Sequence, residues 1–90
     1  MHPQEIRDRV KSIIGNVAGL DPKGIGDADH FRDDLNLDSL SLLEIGVDVD
    51  MAFQLGLPDE RYKEIDSMSA MVELVQSRMA ETANVQVAVG

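Results

Sequence analysis

From Ser39 to Leu55 the apolar residues fall on two faces of one helix. At about 100° per residue, Leu42, Ile45, Val49 and Phe53 form one stripe. Leu40, Leu43, Val47 and Met51 form a second on nearly the opposite side, with Ser41, Glu44 and Asp48 between them. A helix with one apolar stripe packs on one core. Two stripes require burial on two sides or a partner for one of them, and a chain of 90 residues has little material to cover both. Leu42, Ile45, Val49 and Phe53 are assigned to the core. Leu40, Leu43 and Val47, edged by Glu44 and Asp48, are assigned to a partly exposed contact surface. Gly46 lies inside the same helix, where it costs up to about 1 kcal/mol relative to Ala. It either permits a close backbone approach or is a tolerated neutral change.

The rest of the chain also reads as helix. Ile6, Val10, Ile13, Ile14 and Val17 follow helical spacing over residues 4–17, with Pro3 suited to the first turn and Gly15 and Gly19 loosening the end. Residues 18–37 carry loop signals, and Phe31, Leu35 and Leu37 tack that loop onto the core. Asn36 is a left-handed position before the next helix. Pro58-Asp59-Glu60 opens a short third helix to about Ile65. Asp66 or Ser67 caps a fourth, with Met68, Met71, Val72, Val75 and Met79 on one face. Residues 81–90 are expected to form a flexible C-terminal tail. No internal repeat or second domain is evident. The expected class is all-α: a single domain over 1–80, a four-helix bundle of three main helices and a short third helix.

Aromatics make up only 3% of the chain, so the core is aliphatic. Such a core packs loosely enough to admit a guest chain, and equally makes an ordinary small helical core. There is no cysteine, which excludes disulfides and Cys-based zinc sites and means that any thioester chemistry uses a borrowed thiol. No apolar run reaches the length of a membrane span, and the N-terminus lacks the regions of a signal peptide. The expected compartment is the cytoplasm, with no membrane partner.

The charge is localised. Residues 27–60 hold ten acids and one base, Arg32, a net of −9; the remaining residues hold seven acids and seven bases. That field repels nucleic acid and steers basic protein surfaces towards the middle of the chain, or serves as a solvated face that keeps the protein soluble. No catalytic or metal site assembles. Asp27-Ala28-Asp29 lacks the glycine and glutamate of a calcium loop, Gly24-Ile25-Gly26 is not a phosphate-cradling fingerprint, and no histidine is placed to serve Ser39 as a base.

Ser39 lies where the acidic loop gives way to the apolar helix. Taken alone it reads as an N-cap. A phosphate esterified to its hydroxyl would lie at the positive end of the helix dipole, so Ser39 is also a candidate anchor for a phosphate-linked arm.

Leu37-Asp38-Ser39-Leu40 followed by Glu44 resembles the signature of acyl carrier proteins. Ile6 to Gly15 resembles the family's first helix and Phe31-Arg32-Asp33-Asp34-Leu35 its approach to the serine. Pro58-Asp59-Glu60 and Ile65-Asp66-Ser67-Met68 resemble the entries to its third and last helices. The resemblance runs from about residue 4 to 79. It implies a monomeric, non-enzymatic carrier whose Ser39 receives 4'-phosphopantetheine from a phosphopantetheinyl transferase, the arm supplying the missing thiol. By the same analogy Asp38 helps hold the metal and cofactor during transfer, the chain holding no metal of its own. Leu40, Leu43, Glu44, Val47 and Asp48 form the docking face for basic surfaces of an acyltransferase, ketosynthase or acyl-activating enzyme. Ile45, Val49, Phe53, Met68, Met71 and Val75 border the space for a sheltered acyl chain. Fatty-acid-synthesis members usually carry a denser acidic run where this chain has Met51-Ala52-Phe53-Gln54, and Ser41-Leu42-Leu43 and Gly46 also depart from the commonest pattern. These departures point away from a housekeeping role in fatty acid synthesis and towards a discrete carrier for polyketide or mixed polyketide–peptide assembly, within an expected function in polyketide or fatty acid biosynthesis. The alternatives are a peptidyl or aminoacyl carrier and a helical interaction module in which Ser39 is only an N-cap.

Overall fold

The computed structural model describes residues 2–89, with side chains described through Glu81. Helix α1 spans Pro3–Ala18, α2 Ser39–Phe53, α3 Asp59–Lys63 and α4 Met68–Val89; a single 3-10 turn, Pro22–Gly24, punctuates the long first connection. The described residues contain no strand, only an isolated antiparallel bridge between His30 and Ser67. The expected all-α four-helix architecture is the one found. The side chains of the tail expected after residue 80 lie, from residue 82 on, outside the described residues.

Local chemistry sets the helix ends. Pro3 stands in the first turn of α1, and Gly19 closes the helix in the left-handed conformation at φ 72°, donating its N–H to Gly15 O. Asn36 has φ 56°, as the sequence predicts, and Gln54 ends α2 at φ 53°. The α3 helix is shorter than expected: it stops at Lys63, and Ile65 lies beyond it. Ser67 caps α4, its Oγ accepting from the Ala70 N–H.

One expectation needs correction. Ser39 is not the N-cap of α2. Asp38 is, with extended backbone (φ −93°, ψ 176°) and a carboxylate that accepts from the Ser41 N–H at 2.8 Å. Ser39 is the first helical residue. The carboxylate of Asp38 gains from the helix dipole as well as from the hydrogen bond, and so takes the capping position from the neutral hydroxyl.

The core joins all four helices. Val10, Ile14, Phe31, Ile45, Val49, Met68 and Val75 are fully buried, and Ile6, Ile25, Leu37, Leu55, Tyr62, Met71, Val72 and Leu74 nearly so. Helix α1 packs on α4 and on α2, and α2 packs on α3. The long connection is secured by Phe31, whose N–H donates to Asp66 O at 2.8 Å and whose carbonyl accepts from the Leu37 N–H at 2.9 Å. Met68 N–H likewise donates to Asp29 O at 2.9 Å. These bonds fix the segment that delivers the chain to Ser39.

Gly46 explains how α3 approaches α2. A Cβ built on Gly46 would lie 2.9 Å from both Cβ and Cγ of Tyr62. The glycine is therefore a close-approach position, the first of the two readings its sequence allowed.

Candidate functional site

At the start of α2, Asp38, Ser39 and Leu40 are all exposed. Asp38 is held as a carboxylate: the Ser41 backbone N–H it accepts pulls its pKa below the ordinary aspartate value. Because Asp38 does the capping, the Ser39 hydroxyl is released from that duty. Its Oγ instead accepts a hydrogen bond at 2.9 Å from Nη2 of Arg32, which reaches across from the preceding loop.

Ser39 opens on a cavity of about 410 Å³ between the start of α2 and α3, lined also by Arg32, Leu42, Leu43, Tyr62, Lys63 and Ile65. Its lining is mostly apolar and includes two cations, Arg32 and Lys63. The side chains expected to border a sheltered acyl chain are placed elsewhere. Ile45, Val49, Met68, Met71 and Val75 are closed into the core, and Phe53 is half-buried with the Arg9 guanidinium 5.9 Å from its ring centroid. None of the six lines the cavity beside Ser39.

The second apolar stripe is uncovered. Leu40 is 65% exposed, Met51 71%, and Leu43 and Val47 41% each. Glu44 and Asp48 are exposed beside them. Leu43 belongs both to this face and to the cavity wall, so the two surfaces are continuous.

The acids of residues 27–60 divide between internal and outward-facing roles. Asp27 pairs with Lys11 at 2.6 Å, and that hydrogen bond lowers its pKa. Asp29 accepts from the Gly26 N–H, Asp34 from the His30 N–H and Asp38 from the Ser41 N–H. Asp50 gathers three donors: the Gly56 and Leu57 N–H groups and the Tyr62 hydroxyl, the last two at 2.9 Å. Burial, reinforced by the Asp50 carboxylate, pushes the Tyr62 phenol well above its ordinary pKa. Glu44 and Asp48 make no hydrogen bond or ion pair among the described residues, and their field is directed outward.

Sequence reasoning missed Arg32, Lys63, Tyr62 and Asp50 as neighbours of the site. Arg32 carried a usable signal as the lone base in its acidic segment. The others are brought together by the α2–α3 packing, which leaves no period in the sequence. Among the described residues no cluster of His, Cys, Asp or Glu could hold a metal ion, and no helix is long and apolar enough to cross a membrane.

An exposed hydroxyl at the first turn of a helix, with a guanidinium donor on its oxygen and an apolar cavity beside it, fits a phosphate-linked arm. The family model described as "Phosphopantetheine attachment site" matches residues 8–75. The acyl carrier protein of Guillardia theta is 29% identical over 80 residues, covering 89% of this chain and 99% of that protein. That of Thermobifida fusca (strain YX) is 32% identical over 73 residues, covering 81% and 92%. A further relative, at 32% over 81% of this chain and 58% of its own length, is acyl carrier protein 2, mitochondrial, of Arabidopsis thaliana. The solved structure of an acyl carrier protein from Enterococcus faecalis superimposes with a TM-score of 0.69 at 28% identity, covering 87% of this chain and 99% of that one. The chain belongs to the acyl carrier protein family, non-catalytic carriers with a covalently attached 4'-phosphopantetheine group.

Proposed function

We propose that Ser39 is the attachment point of the 4'-phosphopantetheine arm and that the protein delivers acyl thioesters to enzymes of polyketide or mixed polyketide–peptide assembly. The observation that carries the assignment is the release of Ser39 from capping, which leaves its hydroxyl exposed beside Asp38 at the mouth of the cavity. The arm supplies a thiol on which acyl groups ride as activated thioesters. The chain's own residues position that arm. Asp38 stays ionised beside the hydroxyl, where a transferase-bound cation can be held. Leu40, Leu43, Glu44, Val47 and Asp48 offer an apolar strip edged with negative charge to a basic groove.

Carriers of this family work with a phosphopantetheinyl transferase and with biosynthetic enzymes. For this chain we assign docking to an acyltransferase, ketosynthase or acyl-activating enzyme, with the carrier acting as a cytoplasmic monomer. The Met51-Ala52-Phe53-Gln54 ending of α2, in place of a dense acidic run, supports the specialised pathway over fatty acid synthesis.

The test is intact mass before and after incubation with coenzyme A, magnesium and a broad-specificity phosphopantetheinyl transferase. Wild type is expected to gain one phosphopantetheinyl group and Ser39→Ala none. A folded wild type that gains nothing, or a Ser39→Ala variant that still gains the group, would overturn the assignment. Loading assays with polyketide and fatty acid acyltransferases then separate the pathways.

A further inference from the structure

Arg32 is the one base among ten acids in residues 27–60, yet it forms no ion pair among the described residues. Its side chain is exposed, but its backbone is anchored by the fully buried Phe31 beside it, itself hydrogen-bonded through both N–H and carbonyl. From that fixed base the guanidinium donates to the Ser39 Oγ at 2.9 Å. A cation that makes no ion pair among the described residues and is held against a neutral hydroxyl is placed for a charge that arrives later.

We propose that Arg32 is a phosphate-binding residue: its guanidinium holds the phosphodiester of the arm at the mouth of the α2–α3 cavity. This rests on Ser39 being the attachment point. The fit is one of geometry and charge. Arginine presents several N–H donors in a planar fork, so one can stay on the ester oxygen while another reaches a non-bridging oxygen. The phosphodiester adds a negative charge to a segment that already carries −9. Without a cation at that point, loading would add to the repulsion within the segment; with Arg32 there, the new charge is paired on arrival. The guanidinium also stands on the cavity's lining, so holding the phosphate directs the arm across the apolar wall of Leu42, Tyr62 and Ile65.

The test compares apo and holo forms of wild type, Arg32→Lys and Arg32→Gln, each holo form verified by intact mass. The readouts are the ³¹P resonance of the phosphodiester and the change in Tm on loading. In wild type, loading is expected to raise Tm by about 2–4 °C, as for an exposed charge-assisted pair in a domain of this size. Arg32→Gln is expected to lose that rise and to move the ³¹P resonance; Arg32→Lys is expected to recover part of the rise, because charge returns without the fork. Identical ³¹P shifts and identical Tm changes in wild type and Arg32→Gln would show that the guanidinium leaves the phosphate to solvent, and would overturn the proposal while Ser39 remained the attachment point. A wild type that shows no mass gain would overturn both, and the two failures are thereby distinguished.

Discussion

The Tyr62 hydroxyl donates to Asp50 Oδ2 at 2.9 Å, and through that bond the short helix α3 is latched to the end of α2. The same carboxylate accepts from the Gly56 and Leu57 N–H groups, so one side chain organises the turn between the helices as well as their contact. Tyr62 also lines the cavity beside Ser39, which makes the latch part of the cavity wall.

Removing the hydroxyl should loosen this latch without dismantling it. Tyr62→Phe is expected to cost about 1 kcal/mol in urea unfolding, the net worth of an ordinary hydrogen bond, because Asp50 keeps its two backbone donors. Asp50→Ala is expected to cost more, about 2–3 kcal/mol, since it strands three donors at once. Equal losses in the two variants would show that the turn does not depend on the carboxylate.

The latch also fixes the sign of an alkaline transition. Burial and the neighbouring carboxylate raise the Tyr62 pKa in the folded state. In the unfolded chain the phenol ionises near its ordinary value of about 10. The contribution is therefore fully present below about pH 10 and is lost as pH rises from there towards the folded-state value. Stability measured from pH 8 to 11.5 should decline more steeply in wild type than in Tyr62→Phe.

Asp38 works in the opposite direction. Its pKa is lowered by the Ser41 N–H it accepts, so its contribution is present above the ordinary aspartate value of about 3.9 and fades as pH falls through the lower folded-state value. Asp38→Asn keeps an N-capping oxygen but removes the titration. Circular dichroism between pH 5 and 2 should show a shallower acid dependence for Asp38→Asn than for wild type.

At Gly46 two effects compete. Alanine raises helix propensity by up to about 1 kcal/mol, but its Cβ would stand 2.9 Å from Tyr62 Cβ and Cγ, atoms at the root of a side chain and unable to swing aside. Overpacking of this kind costs about 1–3 kcal/mol. Gly46→Ala should therefore destabilise by about 1 kcal/mol net, and its amide shift changes should extend through α3. A stabilised variant would mean that α3 yields more easily than its packing indicates.

Charge reversal at Glu44 and Asp48 should act on partners alone. Both side chains are exposed and make no hydrogen bond or ion pair among the described residues, so Glu44→Lys and Asp48→Lys should leave Tm nearly unchanged. They should slow turnover by a partner enzyme and flatten its salt dependence. Unchanged kinetics at low ionic strength would reduce the patch to a solubility device.

Much of this architecture was legible in the sequence because it is carried by period. The spacing of Ile6, Val10 and Ile14 and the two stripes of α2 fixed both the helices and the exposed face of Leu40, Leu43 and Val47. Asn36 was legible as a left-handed position because its residue type tolerates one. What stayed hidden depends on contacts between elements without period. The loop between α1 and α2 buries Ile25, the Arg32 guanidinium reaches seven residues along the chain to Ser39, and Tyr62 finds Asp50 only once α3 has docked. The cap of α2 was misplaced by one residue because Asp38 and Ser39 are both good caps, and the advantage of the Asp38 carboxylate at the helix dipole was not weighed against the hydroxyl.

That one-residue offset has a consequence for the working cycle of a carrier. Had Ser39 been the cap, esterifying its oxygen would have altered the bond that starts the helix. With Asp38 closing the helix, the proposed attachment point at Ser39 can be derivatised, emptied and derivatised again without touching the bond that starts α2. The bond that starts the helix and the proposed coupling pin are separate, although they are adjacent in the chain.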